Sequence, residues 1–356
     1  MEISIIERSK KSNEIESIYN FDNGESLSKY AIQNGGAVAP LIIDSRLTNG
    51  TGLMNPSIFN YNGKLVVNIR HVNYTFYHSE KKAFQHQWGP LTYLHPENDM
   101  YLRTTNYLGV LTEDLTITDI HPVDSAAYDT YDPCWDFVGL EDARIIVWDD
   151  IMYQTGVRRD TTTNGQGRME LSSIEFQDGL PVETSRFRIN PPNDMNSYCE
   201  KNWMPVVSRP YHYIKWCNPT ELVRVDPQDM TTSHTVSLSS VFSSPNDFRG
   251  GSQVLDYEDG YFAIVHEVDL FVSTVGRKDA VYRHRFVVWD KDFNVVSYTR
   301  DFSLMNGHVE FAVGMCHIGD SYLITFGFQD NGAFVLRIPA TALKDFIKDT
   351  TIYEQN

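Results

Sequence analysis

Gly139-Leu140-Glu141-Asp142-Ala143-Arg144 runs directly into the apolar stretch Ile145-Ile146-Val147-Trp148, which puts two carboxylates and a guanidinium at the mouth of a short strand. Downstream lie further cations at Arg158 and Arg159, Lys201 within Glu200-Lys201-Asn202-Trp203, and Arg249 in Phe248-Arg249-Gly250-Gly251. A carboxylate near fixed cations suits sugar-phosphate chemistry: the acid moves the proton and the cations hold the phosphate oxygens. Two neighbours on a strand point to opposite faces, so only one of Arg158 and Arg159 is expected to enter a pocket. Arg144 reads as half of a structural ion pair. The His266-Glu267 and Tyr282-Arg283-His284 groups read as satisfied polar groups inside strands. No histidine pair has metal-ligand spacing and no P-loop or GxGxxG stretch is present, so neither a metal nor a cofactor is expected. The four cysteines, Cys134, Cys199, Cys217 and Cys316, lack CxxC spacing and read as small, partly buried thiols.

The elements that position these groups read as strands. The chain has 356 residues, 20 of them Tyr and 19 Phe, a composition that favours sheet. One unit recurs: a strand, a tight Gly/Asp/Asn turn, and a second apolar strand. It occurs at 55–70, 141–155, 203–216, 251–265 and 311–326. Each copy is followed by more strand-like sequence, such as Leu222-Val223-Arg224-Val225. About five units of roughly four strands each describe an all-β, five-bladed β-propeller. A β-sandwich with long loops is the alternative, but it would not need the turn to recur after the same strand. Minor helices are expected near the ends, at 23–33 and 340–347. The expected organisation is an N-terminal extension over 1–45 packed on the propeller, the propeller over 46–340, and a C-terminal helix and tail over 341–356. A propeller gathers at its axis residues that are distant in sequence, so Asn55, Arg70, Glu141, Asp142, Arg158, Lys201, Arg249 and Asp330 can share one pocket.

The formal net charge of −17 argues against general adhesion to nucleic acid or anionic membrane. The N-terminal residues lack the basic start and apolar core of a secretory signal, and no apolar run approaches the roughly 20 residues that span a bilayer. A cytoplasmic protein without membrane insertion is expected. Oligomeric state is not readable.

The stretches Met54-Asn55-Pro56-Ser57 with Arg70, Gly139 to Arg144, Val309-Glu310-Phe311-Ala312-Val313-Gly314 and Phe326-Gly327-Phe328-Gln329-Asp330 resemble, in order, the five-bladed β-propeller phosphorylases and mannosidases of glycoside hydrolase family 130 and the related β-mannosyltransferases. The resemblance implies Asp142 as the single catalytic carboxylate. It implies sugar contacts from Asp330, and places Asn55, Arg70 and Glu141 in the sugar-binding set. It implies phosphate or donor contacts from Arg158 or Arg159 and from Lys201, with Arg249-Gly250-Gly251 a further anion-binding candidate. The family's phosphate-binding histidine has no evident counterpart in the stretch after Lys201, and the stretches around Lys201, Arg249 and His266 resemble a divergent branch. The leading expectation is an inverting glycosyltransferase, a mannosyltransferase, taking sugar from a sugar-phosphate or nucleotide-sugar donor to a glycan or other hydroxyl acceptor. A phosphorylase cleaving β-mannosides with inorganic phosphate is the alternative. A non-catalytic carbohydrate-binding propeller is the third reading, since the fold hosts many functions.

Overall fold

The computed structural model describes residues 26–48, 52–74, 84–85, 92–93, 99–161, 165–193, 196–242, 244, 247–272 and 278–354. Five antiparallel sheets follow one another along the chain. Blade I consists of Leu53–Tyr61, Lys64–Val72, Leu102–Leu111 and Ile117–Pro122, with Phe137–Val138 running parallel to its third strand. Blade II consists of Glu141–Trp148, Ile151–Arg158, Arg168–Gln177 and Leu180–Arg188. Blade III consists of Met204–Pro205, His212–Cys217, Thr220–Val225 and Ser233–Leu238. Blade IV is built on Gly260–Val272, Lys278–Trp289 and Val295–Thr299, with Arg249–Gly250 and Leu255–Tyr257 pairing along the inner edge of the first of these. Blade V contains Glu310–Ile318, Ser321–Phe328 and Gly332–Pro339. This is the five-bladed propeller.

The chain ends do more than pack on the outside. Ala37–Pro40 pairs with Gly332–Pro339 as the fourth strand of blade V, and Thr351–Glu354 pairs with the outer strand of blade IV. The division drawn at residues 45 and 340 therefore crosses two blades. The physical reason is ring closure, in which a strand from the N-terminal side completes the last blade. Residues 1–25 of the expected N-terminal extension lie outside the described residues. Two of the helices are Leu27–Gln33, capped by Ser26 through the Lys29 N–H at 3.2 Å, and Ala340–Thr350. The second turns Ala342, Leu343, Phe346 and Ile347 onto blades IV and V, with Leu27 and Ala31 of the first in the same cluster. Among the described residues no helix is long and apolar enough to cross a membrane.

The cores lie between blades. Phe262, Ile264 and Phe286 of blade IV meet Ala312, Ile324 and Phe326 of blade V. Val254, Tyr261 and Trp289 meet Ile214 and Leu222 of blade III. Ile58 and Val67 of blade I meet Leu323 and Val335 of blade V. Trp148 and Tyr153 of blade II meet Tyr213 and Val223 of blade III. Near the axis polar side chains join the inner strands. The Gln253 amide donates to the Ile58 and Ile145 carbonyls at 2.9 Å each and accepts from the Met315 N–H at 2.9 Å, linking blade IV to three others.

Candidate active site

The inner strand of blade II begins with a bulge. Glu141 pairs with Val157 and Arg144 with Thr155, so Asp142 and Ala143 together oppose Gly156. Asp142 takes a left-handed conformation, with φ of 52°. The bulge breaks the ladder, and side chains take over its carbonyls. Arg144 Nη1 donates to the Asp142 carbonyl at 2.9 Å, and Ser57 Oγ donates to the Ala143 carbonyl at 2.7 Å while accepting from the Ile145 N–H at 3.1 Å. Asn68 adds a second donor to the Ala143 carbonyl at 3.3 Å. Gly156 is required here because a Cβ would come within 2.4 Å of the Glu141 carbonyl oxygen.

This turn sets the Asp142 carboxylate against blade I. Asn55 Nδ2 donates to Asp142 Oδ1 at 2.7 Å and Arg70 Nη1 to the same oxygen at 2.8 Å. Arg70 is itself held by Thr104 Oγ1 at 3.1 Å, Tyr74 Oη at 3.2 Å and Glu141 Oε2 at 3.4 Å. Burial alone would raise the Asp142 pKa. The Arg70 guanidinium and the Asn55 hydrogen bond, with Lys201 and Arg144, outweigh it and hold the carboxyl below its ordinary value. Asp330 shifts the other way. Burial and the Asp142 charge outweigh Arg70 and Lys201, and its carboxyl is pushed up to about 6. Two carboxyl groups in one electrostatic environment are thus driven apart, Asp142 toward the ionised form and Asp330 toward the protonated one.

Asn55, Arg70, Glu141, Asp142 and Asp330 are therefore brought together, and Lys201 acts on both aspartates although its own side chain is exposed. Arg159 joins their edge. Its Nη2 lies 3.1 Å from Cys199 Sγ, its guanidinium stands 5.1 Å from the Tyr198 ring centre, and Glu141 lies within its field. Arg249 pairs across the strands with His266, and Arg249, Lys201 and Arg144 all act on that ring.

Arg158 is placed elsewhere. It is buried with Nε on Glu170 Oε2 at 2.7 Å and with Asp129 and Asp160 within 4 Å of Nη1. It lines a cavity of about 180 Å³ between blades I and II, together with Gln154 and Glu183. Of the adjacent pair, Arg159 is the one that faces Glu141, and Arg158 points into blade II. Arg144 forms no ion pair with a carboxylate among the described residues. It donates to two carbonyls, those of Gly251 at 2.8 Å and Asp142, because the bulge leaves the latter unmet. Burial lowers its pKa to about 10 against the opposing pull of Asp142.

Sequence reasoning read His266 as a satisfied strand residue. Its ring packs at 14° on Tyr282 and meets Phe311 edge-on, yet its buried Nδ1 has no hydrogen-bond partner among the described residues. Burial, with His284, Arg249, Lys201 and Arg144, holds the imidazole well below its usual pKa, so it is neutral. The signal was weak in sequence: only the pairing of Arg249 with His266 across blade IV brings the ring to the cations. Glu267 does have a partner in Arg285, and His284 Nε2 accepts from the Ala312 N–H at 3.3 Å, although its buried Nδ1, like that of His266, has no hydrogen-bond partner among the described residues. Among the described residues no group of three or more His, Cys, Asp or Glu could hold a metal ion.

No protein-family model matches the chain, and no curated protein matches it in sequence. Solved structures do match in fold. A β-1,2-mannobiose phosphorylase from Listeria innocua, in complex with β-1,2-mannobiose, is 12% identical with a TM-score of 0.51, over 84% of this chain and 92% of that one. A mannose phosphorylase from Leishmania mexicana, in complex with phosphate ion, is 14% identical with a TM-score of 0.53, over 92% and 96%. A structure from the GH130 family of mannoside phosphorylases, which contains glycoside hydrolases that target β-1,2 mannosidic linkages in Candida mannan, is 13% identical with a TM-score of 0.54, over 82% and 85%. At these identities the likeness is one of fold.

Proposed function

We propose that the protein is a carbohydrate-active enzyme that moves a mannosyl unit between a phosphate-activated donor and a hydroxyl acceptor, with Asp142 as its proton-transfer group. The observation that carries this reading is the Asp142 carboxylate, held below its ordinary pKa by Arg70 and Asn55. Lys201 acts on it, Arg159 acts on its neighbour Glu141, and Arg249 acts with Lys201 on neutral His266. A carboxylate kept ionised is a base. It takes the proton from the acceptor hydroxyl as the acceptor oxygen bonds the anomeric carbon. The bond from that carbon to the phosphate oxygen breaks in the same displacement, and the phosphate leaves with its electron pair toward the cations. One displacement inverts the anomeric centre and needs one proton-transfer group. Asn55, Arg70, Glu141 and Asp330 bind the sugar. With its pKa held low, Asp142 rests in the ionised form that can accept the acceptor's proton, and the substrates supplied set the direction of transfer. The donor is a sugar phosphate or nucleotide sugar, and the acceptor a glycan.

The same residues run in reverse would cleave a β-mannoside with inorganic phosphate, Asp142 then donating its proton. The fold likeness to a mannobiose phosphorylase and to a phosphate-bound mannose phosphorylase favours this second reading. Both are tested by incubating the purified protein with mannose 1-phosphate or a nucleoside-diphosphate mannose plus mannosyl acceptors, and separately with mannobiose plus phosphate. New glycoside in the first arm supports transfer. Phosphate-dependent release of mannose 1-phosphate in the second supports phosphorolysis. Turnover in neither arm contradicts the proposal.

A further inference from the structure

Three blades enter their innermost strand by the same step. In blade I the ladder pairs Met54 with Arg70, leaves Asn55 at φ of 47°, and resumes at Ser57 with Asn68. In blade II it pairs Glu141 with Val157, leaves Asp142 at φ of 52°, and resumes at Arg144 with Thr155. In blade III Asn202 has φ of 61°, and the first rung follows two residues later, Met204 with Ile214. Asn55, Asp142 and Asn202 are therefore equivalent positions of the repeat, each a left-handed residue two positions before a rung.

A residue with the same backbone step at the same place in its blade directs its side chain the same way relative to that blade. In blades I and II this direction carries Asn55 and Asp142 to each other at the axis, 2.7 Å apart. The same direction from blade III aims Asn202 at the same place. Two further observations agree. Lys201, the preceding residue, lies in the field of both Asp142 and Asp330, so this stretch borders the pocket. The Asn202 backbone is also fixed, since a Cβ on Gly250 would come within 1.8 Å of its carbonyl oxygen. Asn202 is only 8% exposed, and its side-chain oxygen is buried without a hydrogen-bond partner among the described residues. Burying an amide oxygen away from water without a donor is costly, and a ligand hydroxyl supplies the missing donor.

We propose that Asn202 is a specificity-determining residue of this pocket, its carboxamide oxygen accepting a hydrogen bond from one hydroxyl of the bound sugar. The inference rests on the sugar-binding reading above.

The test uses Asn202→Gly, which keeps the left-handed backbone without strain while deleting the amide, and Asn202→Asp, which keeps an acceptor of the same shape. Binding of methyl β-mannoside and each of its monodeoxy analogues is measured by calorimetry for the wild type and both variants, alongside the Tm of the free proteins. One deoxy analogue is expected to bind the wild type about 10-fold more weakly than the parent sugar. That difference is expected to vanish in Asn202→Gly and to persist in Asn202→Asp, with Tm retained. Identical analogue profiles for wild type and Asn202→Gly overturn the inference and leave the sugar reading standing. A sharp fall in Tm without a changed profile also overturns it, making Asn202 a backbone brace. A wild-type protein that binds none of these sugars removes the sugar reading and this inference with it.

Discussion

At the scale of single residues, the site separates groups free to meet a ligand from groups already committed to the fold. Lys201 is exposed and acts on Asp142 and Asp330, whereas Arg158 is buried on Glu170. Lys201→Ala should weaken phosphate or sugar-phosphate affinity about 10- to 150-fold with Tm retained, since a charged hydrogen bond contributes about 1.5–3 kcal/mol. Arg158→Ala should leave affinity near wild type and lower stability by about 1–3 kcal/mol, because Glu170 loses its nearest cation while keeping Thr161 at 3.0 Å and Arg188 at 3.4 Å. Calorimetric titration and thermal unfolding of both variants check the contrast; a loss of affinity in Arg158→Ala with Tm intact would return it to the phosphate site. Asp330 supplies a pH signature. Its folded-state pKa, about 6, lies above that of an ordinary carboxyl. Its stabilising contribution is therefore full at pH below the ordinary carboxylate value and is lost as pH rises through about 6. Deprotonation also adds a negative charge beside Asp142, so kcat/KM for an anionic donor should fall as pH rises through the same window. Asp330→Asn should flatten that step in the pH–rate profile; an unchanged step would assign it to another group. Asp142 and Glu141 were legible because acids at a strand mouth are a local pattern. His266 was not, because its meaning depends on cations from blades II, III and IV.

At the scale of elements, the bulge at Asp142 and Ala143 is what turns a strand residue into a site residue. Its two freed carbonyls are met by Arg144, Ser57 and Asn68, and Gly156 opposite gives it room. Gly156→Ala would press a Cβ onto the Glu141 carbonyl. It should cost about 1–3 kcal/mol of stability, the range for overpacking a buried position. It should also lower turnover by displacing Asp142 from Arg70 and Asn55. Thermal unfolding and steady-state assays read both effects, and wild-type values in each would show that the bulge does not position the carboxylate. The strand pairs themselves were readable from period-two patterning and Asp/Gly turns, as at Asp149-Asp150 and Gly319-Asp320. The bulges were not, because a register shift leaves no mark in a strand's composition. Nor was the division of labour between Arg158 and Arg159: alternation says that the two face opposite ways, but not which faces the axis.

At the scale of the whole molecule, the four inter-blade cores described above and a fifth, where Val66 and Leu108 of blade I meet Ile145 and Met152 of blade II, close a ring that brings Asn55, Asp142, Lys201, Arg249 and Asp330 from five blades or their leading segments into one neighbourhood. The blade count was legible because the strand–turn–strand unit recurs five times. Ring closure was not, because Ala37–Pro40 pairs with a strand about 300 residues away and carries no turn signal of its own. The proposed function makes one carboxylate, Asp142, responsible for proton transfer. The most direct measurement is single-turnover formation of mannosyl glycoside by wild type and Asp142→Asn at saturating mannosyl donor and acceptor. Asn keeps the shape and part of the hydrogen bonding but cannot take the acceptor's proton. The rate should fall about 100-fold or more. Loss of the charge facing Arg70 should lower Tm by no more than a few degrees, because Glu141 still faces that guanidinium. A wild-type rate in Asp142→Asn would contradict the account, and so would a loss of rate that merely follows unfolding.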